Sequence, residues 1–153
     1  MRNLINKKNF FAISVLLLVL WRAFLNGAIP LMDKTEARYA EIARIMAETN
    51  DYITPQIDYG VPFWAKPPLS TWLSALSFDV FGVSEFTARL PYLLLSILMI
   101  FLIGKYAKRE NLPFFLPGFI ALTIPEFLIH AGVVSTDTSL AFSVAIVMLS
   151  FWE

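Results

Sequence analysis

Apolar and polar positions fall in long blocks along this chain. Four apolar runs, at about 9–31, 86–106, 112–130 and 138–153, are separated by one long polar stretch, 33–85, and by two short connections. A helix needs about 20 residues to cross a bilayer, so the runs read as membrane spans. Arg22 interrupts the first. The third holds Pro113, Pro117, Pro125 and Glu126, which predicts a kinked span. The apolar part of the fourth, Thr138 to Trp152, would cover roughly 22 Å of a core about 30 Å thick. That shortfall leads us to expect a fragment of a larger protein. A cleaved signal peptide is the rival reading of the first run, with Arg2, Lys7 and Lys8 before an apolar core and small residues at Gly27 and Ala28. The spans that follow favour an uncleaved helix.

Inside the polar stretch the period changes to that of a helix. Asp33 can cap it, and Glu36 stands at capping-box spacing. Tyr39, Ile42, Ala43 and Met46 share one face while Arg38, Glu41, Arg44 and Glu48 line the others, the pattern of an amphipathic helix lying on the membrane surface. Asn50 and Asp51 end it. Residues 54–62 read as extended or turning, with a tight turn at Asp58-Tyr59-Gly60. A second interfacial helix follows Pro67-Pro68, from Leu69 to about Phe81, closing near Gly82. The fold class expected is therefore an all-α integral membrane protein of about four transmembrane helices, with a long outer loop carrying two interfacial helices.

Composition agrees: 58% of residues are hydrophobic and 16% charged, against about a quarter charged in soluble domains. A net charge of zero gives no reason to expect nucleic acid, and the absence of cysteine removes thiolate nucleophiles and metal ligands. Lys and Arg concentrate in the amino-terminal tail and at 105–109, whereas the long loop has four basic residues among eight acids. Both basic segments are assigned to the cytoplasm, which puts the loop and Asp137 on the outer face.

That face gathers Asp33, Glu36, Glu41 and Asp137 with Lys66, Arg38 and Arg22. Carboxylates can take a hydroxyl proton, and a cation can neutralise a phosphate leaving group. Without a nucleotide-binding loop, a donor already in the membrane is the natural substrate.

The segments TEARYAEIARIM, FWAKPPLSTWLSALSFDVFG, the Ala-Arg-Leu-Pro at 88–91 and the Thr-Asp-Thr-Ser-Leu at 136–140 together resemble the amino-terminal part of the bacterial aminoarabinose transferase and protein mannosyltransferase family. These are membrane glycosyltransferases of the GT-C type, and the resemblance covers Trp21 to Trp152. It implies transfer of a sugar from a polyprenyl-phosphate carrier to a lipid, glycan or protein acceptor, lipid A among them, at the periplasmic face of the inner membrane. An isolated fragment is expected to be inactive. The family's acidic pair at the start of the RYAEI helix reads Thr35-Glu36 here, so Asp33 and Glu36 both stand as candidates for the base. Lys66, in the Lys-Pro motif, is implied as the contact to the carrier phosphate, with Arg38 and Arg22 as further cations, and Asp137 matches a second acidic position. Ala65 replaces a glutamate implicated in binding a divalent ion in the aminoarabinose branch, and the single His130 cannot build a metal site alone. No metal or other cofactor is assigned.

Each of these residues has a plainer reading. Asp33, Glu36 and Asp137 can cap helices, Arg38 and Glu41 can form a helical ion pair, and Arg22 and Lys66 can snorkel. A non-catalytic module that binds or transports a lipid-linked sugar is the alternative function. Transporters place ionisable residues near the middle of their spans. Here most acids stand at outer ends, and Arg22 is the exception.

Overall fold

The computed structural model describes residues 2–151. Among them, α1 (Arg2–Ala28), α2 (Lys34–Thr49), the strands β1 (Gln56–Asp58) and β2 (Val61–Pro62), α3 (Leu69–Phe81), α4 (Glu85–Arg109), α5 (Leu116–Thr123), α6 (Pro125–His130) and α7 (Thr136–Phe151) follow in order. Among the described residues, two helices are long and apolar enough to cross a membrane, α1 over Asn9–Ala28 and α4 over its full length; α7 is apolar but shorter. The side chains of Arg2, Lys7 and Lys8 and the end of the run at 138–153 lie outside the described residues.

α4 is the hub, packing against α1, α3, α5 and α7. Its start is fixed by a capping box that the sequence reading passed over. Ser84 Oγ accepts the Thr87 N–H at 3.1 Å, and Thr87 Oγ1 accepts the Ser84 N–H at 2.9 Å. The helix in the third apolar run is interrupted at Pro125, one of the prolines behind the expected kink. α5 ends at Thr123, and Ile124, directly before Pro125, is extended because proline disfavours helical backbone in the residue preceding it. Within the extended stretch read at 54–62, β1 and β2 pair antiparallel across the expected turn, with Gly60 at φ 77°.

α2 buries the face its spacing foretold, Tyr39, Ile42, Ala43 and Met46, with Ala40 and Ile45 beside them. The cover is different from the one expected. Ala75 and Phe78 of α3 and Ala88 and Tyr92 of α4 join the same buried cluster, so protein and not the membrane surface closes this face. A helix with only its amphipathic pattern to show is silent on which apolar partner it meets.

α3 is arranged inside out by the standard of a soluble helix. Ser70, Thr71, Ser74, Ala75, Ser77 and Phe78 face the neighbouring helices, while Leu76, Val80 and Phe81 are more than half exposed. Small residues let the backbones approach and their hydroxyls bridge. Ser74 Oγ donates to the Ala88 carbonyl at 3.0 Å, and the Tyr92 hydroxyl, fully buried, donates to the Ser70 carbonyl at 2.8 Å.

Candidate active site

The carboxylates and cations singled out from the sequence separate into two places. Asp33 is the exposed N-cap of α2, its Oδ2 accepting the N–H of Thr35 at 2.8 Å and of Glu36 at 3.0 Å. These two donors, Glu36 first, hold the Asp33 carboxyl below its ordinary range. Glu36 does not return to the Asp33 N–H to complete the expected capping box. It turns inward instead to Arg89 of α4.

That pair is a bidentate fork. Arg89 Nε reaches Glu36 Oε1 at 2.7 Å and Arg89 Nη2 reaches Oε2 at 2.8 Å, both residues being about 4% exposed. The remaining guanidinium protons go to backbone carbonyls at the end of α1. Nη1 donates to Asn26 at 2.9 Å and to Ile29, and Nη2 donates to Pro30 at 3.2 Å. Glu36 Oε1 takes a further proton from the Val134 N–H at 3.2 Å. A buried charge is tolerable only with such full pairing. The carboxylate named as a candidate base is thus committed to an ion pair.

Asn26 lies beside this network at 1% exposure, and a Cβ on Gly132 would stand 2.1 Å from its Oδ1. Only glycine fits there. Arg22, one turn earlier on α1, donates Nη2 to the Ile129 carbonyl at 2.7 Å, tying α1 to the end of α6 and pointing into protein.

The second place is the start of α7. Asp137 stands in its first turn and lines two cavities. One, of about 290 Å³, is lined by Lys66, Pro67, Ser70, Thr136, Asp137 and Ser143. The other, of about 360 Å³, is lined by Ser96, Met99, Glu126, His130, Asp137 and Thr138. His130 Nε2 is 3.9 Å from Asp137 Oδ2, and its Nδ1 is 3.4 Å from Glu126 Oε1. The structure therefore lines one cleft with both Lys66 and Asp137.

Arg38 is not brought there. It is exposed on α2 and lines neither cavity, and the ion pair considered for it with Glu41 is made by Arg44 instead, at 2.6 Å. Among the described residues, no group of three His, Asp or Glu side chains is placed to hold a metal ion. Arg89 escaped the sequence reading as a site residue. The available signal was an arginine near the start of an otherwise apolar span, a position that calls for a partner.

A buried ion pair at the junction of apolar helices, next to a cleft holding a lysine and an aspartate, defines a polar site in a helical membrane fold. A family profile described as dolichyl-phosphate-mannose-protein mannosyltransferase matches residues 10–153, and the chain belongs to that family. It is similar to an uncharacterized protein of Aquifex aeolicus, 35% identical over 126 residues that make up 80% of this chain and 29% of that one. An undecaprenyl phosphate-alpha-4-amino-4-deoxy-L-arabinose arabinosyl transferase of Wigglesworthia glossinidia brevipalpis is 26% identical over 153 residues, 98% of this chain and 27% of the relative. The crystal structure of ArnT from Cupriavidus metallidurans in the apo state superposes with a TM-score of 0.75 at 26% identity, over 92% of this chain and 26% of that one. The chain thus spans between a quarter and a third of the length of these proteins.

Proposed function

We propose that this chain supplies part of the active site of a membrane glycosyltransferase, moving a sugar from a polyprenyl-phosphate donor to a periplasmic acceptor, a glycolipid such as lipid A or a protein. The observation that carries the reading is the cleft shared by Lys66 and Asp137; the transferases among its relatives supply the reaction class. In the reaction, the acceptor hydroxyl oxygen attacks the anomeric carbon. The bond from that carbon to the phosphate oxygen breaks, and polyprenyl phosphate leaves with the electron pair. Lys66 neutralises the departing anion, and a carboxylate takes the hydroxyl proton. Single displacement inverts the anomeric centre.

Asp137 is the base this reading prefers, because it shares the cleft with Lys66 while Glu36 is engaged by Arg89. Asp33, exposed and free of ion pairs among the described residues, is the second carboxylate. Four spans at the boundaries of the apolar runs and, as in the family it resembles, an inner-membrane location complete the proposal, with a cytoplasmic amino terminus and a periplasmic site on the distribution of Lys and Arg. Against the alternative of a non-catalytic module that binds or transports a lipid-linked sugar stands the position of most acids at outer ends; Arg22, the exception, donates to the Ile129 carbonyl.

The test uses the full-length protein in proteoliposomes with a polyprenyl-phosphate sugar. Asp137→Asn is expected to lower sugar release about 10²- to 10⁴-fold, the usual worth of a positioned base. Lys66→Ala should lower it about 10²- to 10³-fold. Full activity in both variants, or binding of the carrier without cleavage by the wild type, would sink the assignment.

A further inference from the structure

Asp33 and Asp137 are 104 residues apart in the chain and stand on separate helices, yet a single buried group connects the backbones that carry them. Glu36 lies in the first turn of α2, the turn that Asp33 caps. Its Oε1 accepts the Val134 N–H, three residues before Asp137. Arg89 grips both oxygens of that carboxylate and, with its other protons, carbonyls at and just past the end of α1. The α1 end, the start of α2, the first turns of α4 and, through Glu36, the loop before α7 therefore meet at one ion pair.

A fork of five N–H donors in fixed planar geometry is suited to set such a junction, and a lysine ammonium is not. Of the loop residues 131–135, Val134 joins the apolar cluster of α2, α3 and α4, and its N–H is directed at Glu36. Small misplacements of reacting groups cost large factors in rate.

We propose that Arg89 is a positioning residue of the transferase site, acting through Glu36 to hold the loop before Asp137 in register with the start of α2. The inference rests on the glycosyltransferase reading for its consequence and on the contacts above for its geometry.

Two readouts separate these. Hydrogen exchange of the full-length protein is followed over 131–135, and donor turnover is measured in the same proteoliposomes. Arg89→Lys keeps the charge opposite Glu36 and loses the fork. It is expected to insert and to melt close to wild type, to exchange faster at 131–135, and to lower kcat about 10- to 100-fold, with the donor KM within about twofold of wild type. The apolar pair Glu36→Leu/Arg89→Met removes the junction without leaving an orphaned charge. It is expected to melt above Arg89→Met while retaining fast exchange and low turnover. Wild-type exchange and turnover in Arg89→Lys would overturn the proposal, as would turnover that simply follows melting temperature across all three variants. A wild-type protein that releases no sugar would sink the transferase reading, and exchange at 131–135 would still judge the junction.

Discussion

α2 carries ion pairs on two faces, and they have nearly the same internal geometry. On the outer face Arg44 forks onto Glu41, with Nε to Oε2 at 2.8 Å and Nη2 to Oε1 at 2.6 Å, and also meets Glu48. On the inner face Arg89 forks onto Glu36 at 2.7 and 2.8 Å. The outer side chains are 28% to 47% exposed and the inner ones 5%. Distance and fork are shared, so the surroundings decide what each pair does. At the surface, water replaces a lost partner and salt screens the attraction. In the interior, removing one partner strands a charge on a side chain only 5% exposed. The outer ladder keeps a polar helix face soluble; the inner pair determines which segments meet.

This contrast can be broken experimentally at both ends. Replacing Arg89 alone with Met should cost about 3–5 kcal/mol of stability, because it orphans a buried carboxylate; thermal unfolding in detergent measures it, and a cost below about 1 kcal/mol would erase the distinction between the faces. Arg44→Ala should cost less than about 1 kcal/mol, and its cost should fall further between 0.1 and 1 M salt while that of Arg89→Met does not. The smallest effect belongs to Asp33, which caps α2 where the two faces meet. Its folded-state value lies below the ordinary 3.8, so its contribution is complete above about pH 4 and is lost as pH falls through the lowered value. Melting temperature followed from pH 6 to pH 2.5 should show that loss in the wild type. Asp33→Asn, which still caps but does not titrate, should remove that part of the slope.

Much of the helical framework was legible because it depends on local rules. The face of Tyr39, Ile42, Ala43 and Met46 follows from a 3.6-residue period, Asn50 ends α2 in the left-handed region at φ 54°, and the Leu69–Phe81 helix stops at Gly82 as read. What covers a face is not local. The same four residues would serve against lipid or against α3. Glu36 illustrates the limit most clearly: three residues after a cap, it fits a capping box, but an arginine 53 residues away offers a charge-assisted fork in the interior, and that contact wins. The box that does form, Ser84 with Thr87, lacks the Glu or Gln that the usual pattern asks for. β1 and β2 are too short to show an alternating period. At the candidate site, Lys66 and Asp137 could be named from residue type and resemblance, but their sharing one cleft depends on how α3 and α7 pack.

The outward Leu, Val and Phe side chains of α3 give the folded chain a solvent requirement of its own. A soluble protein hides such residues and so carries its medium's preferences on its skin; here the hydroxyls are hidden and the grease is displayed. Stripped of lipid or detergent, this helix would meet water with the wrong side, and neighbouring copies would be the nearest available cover. Its correct folding and its need for an amphiphile are the same property, written in which way thirteen residues face.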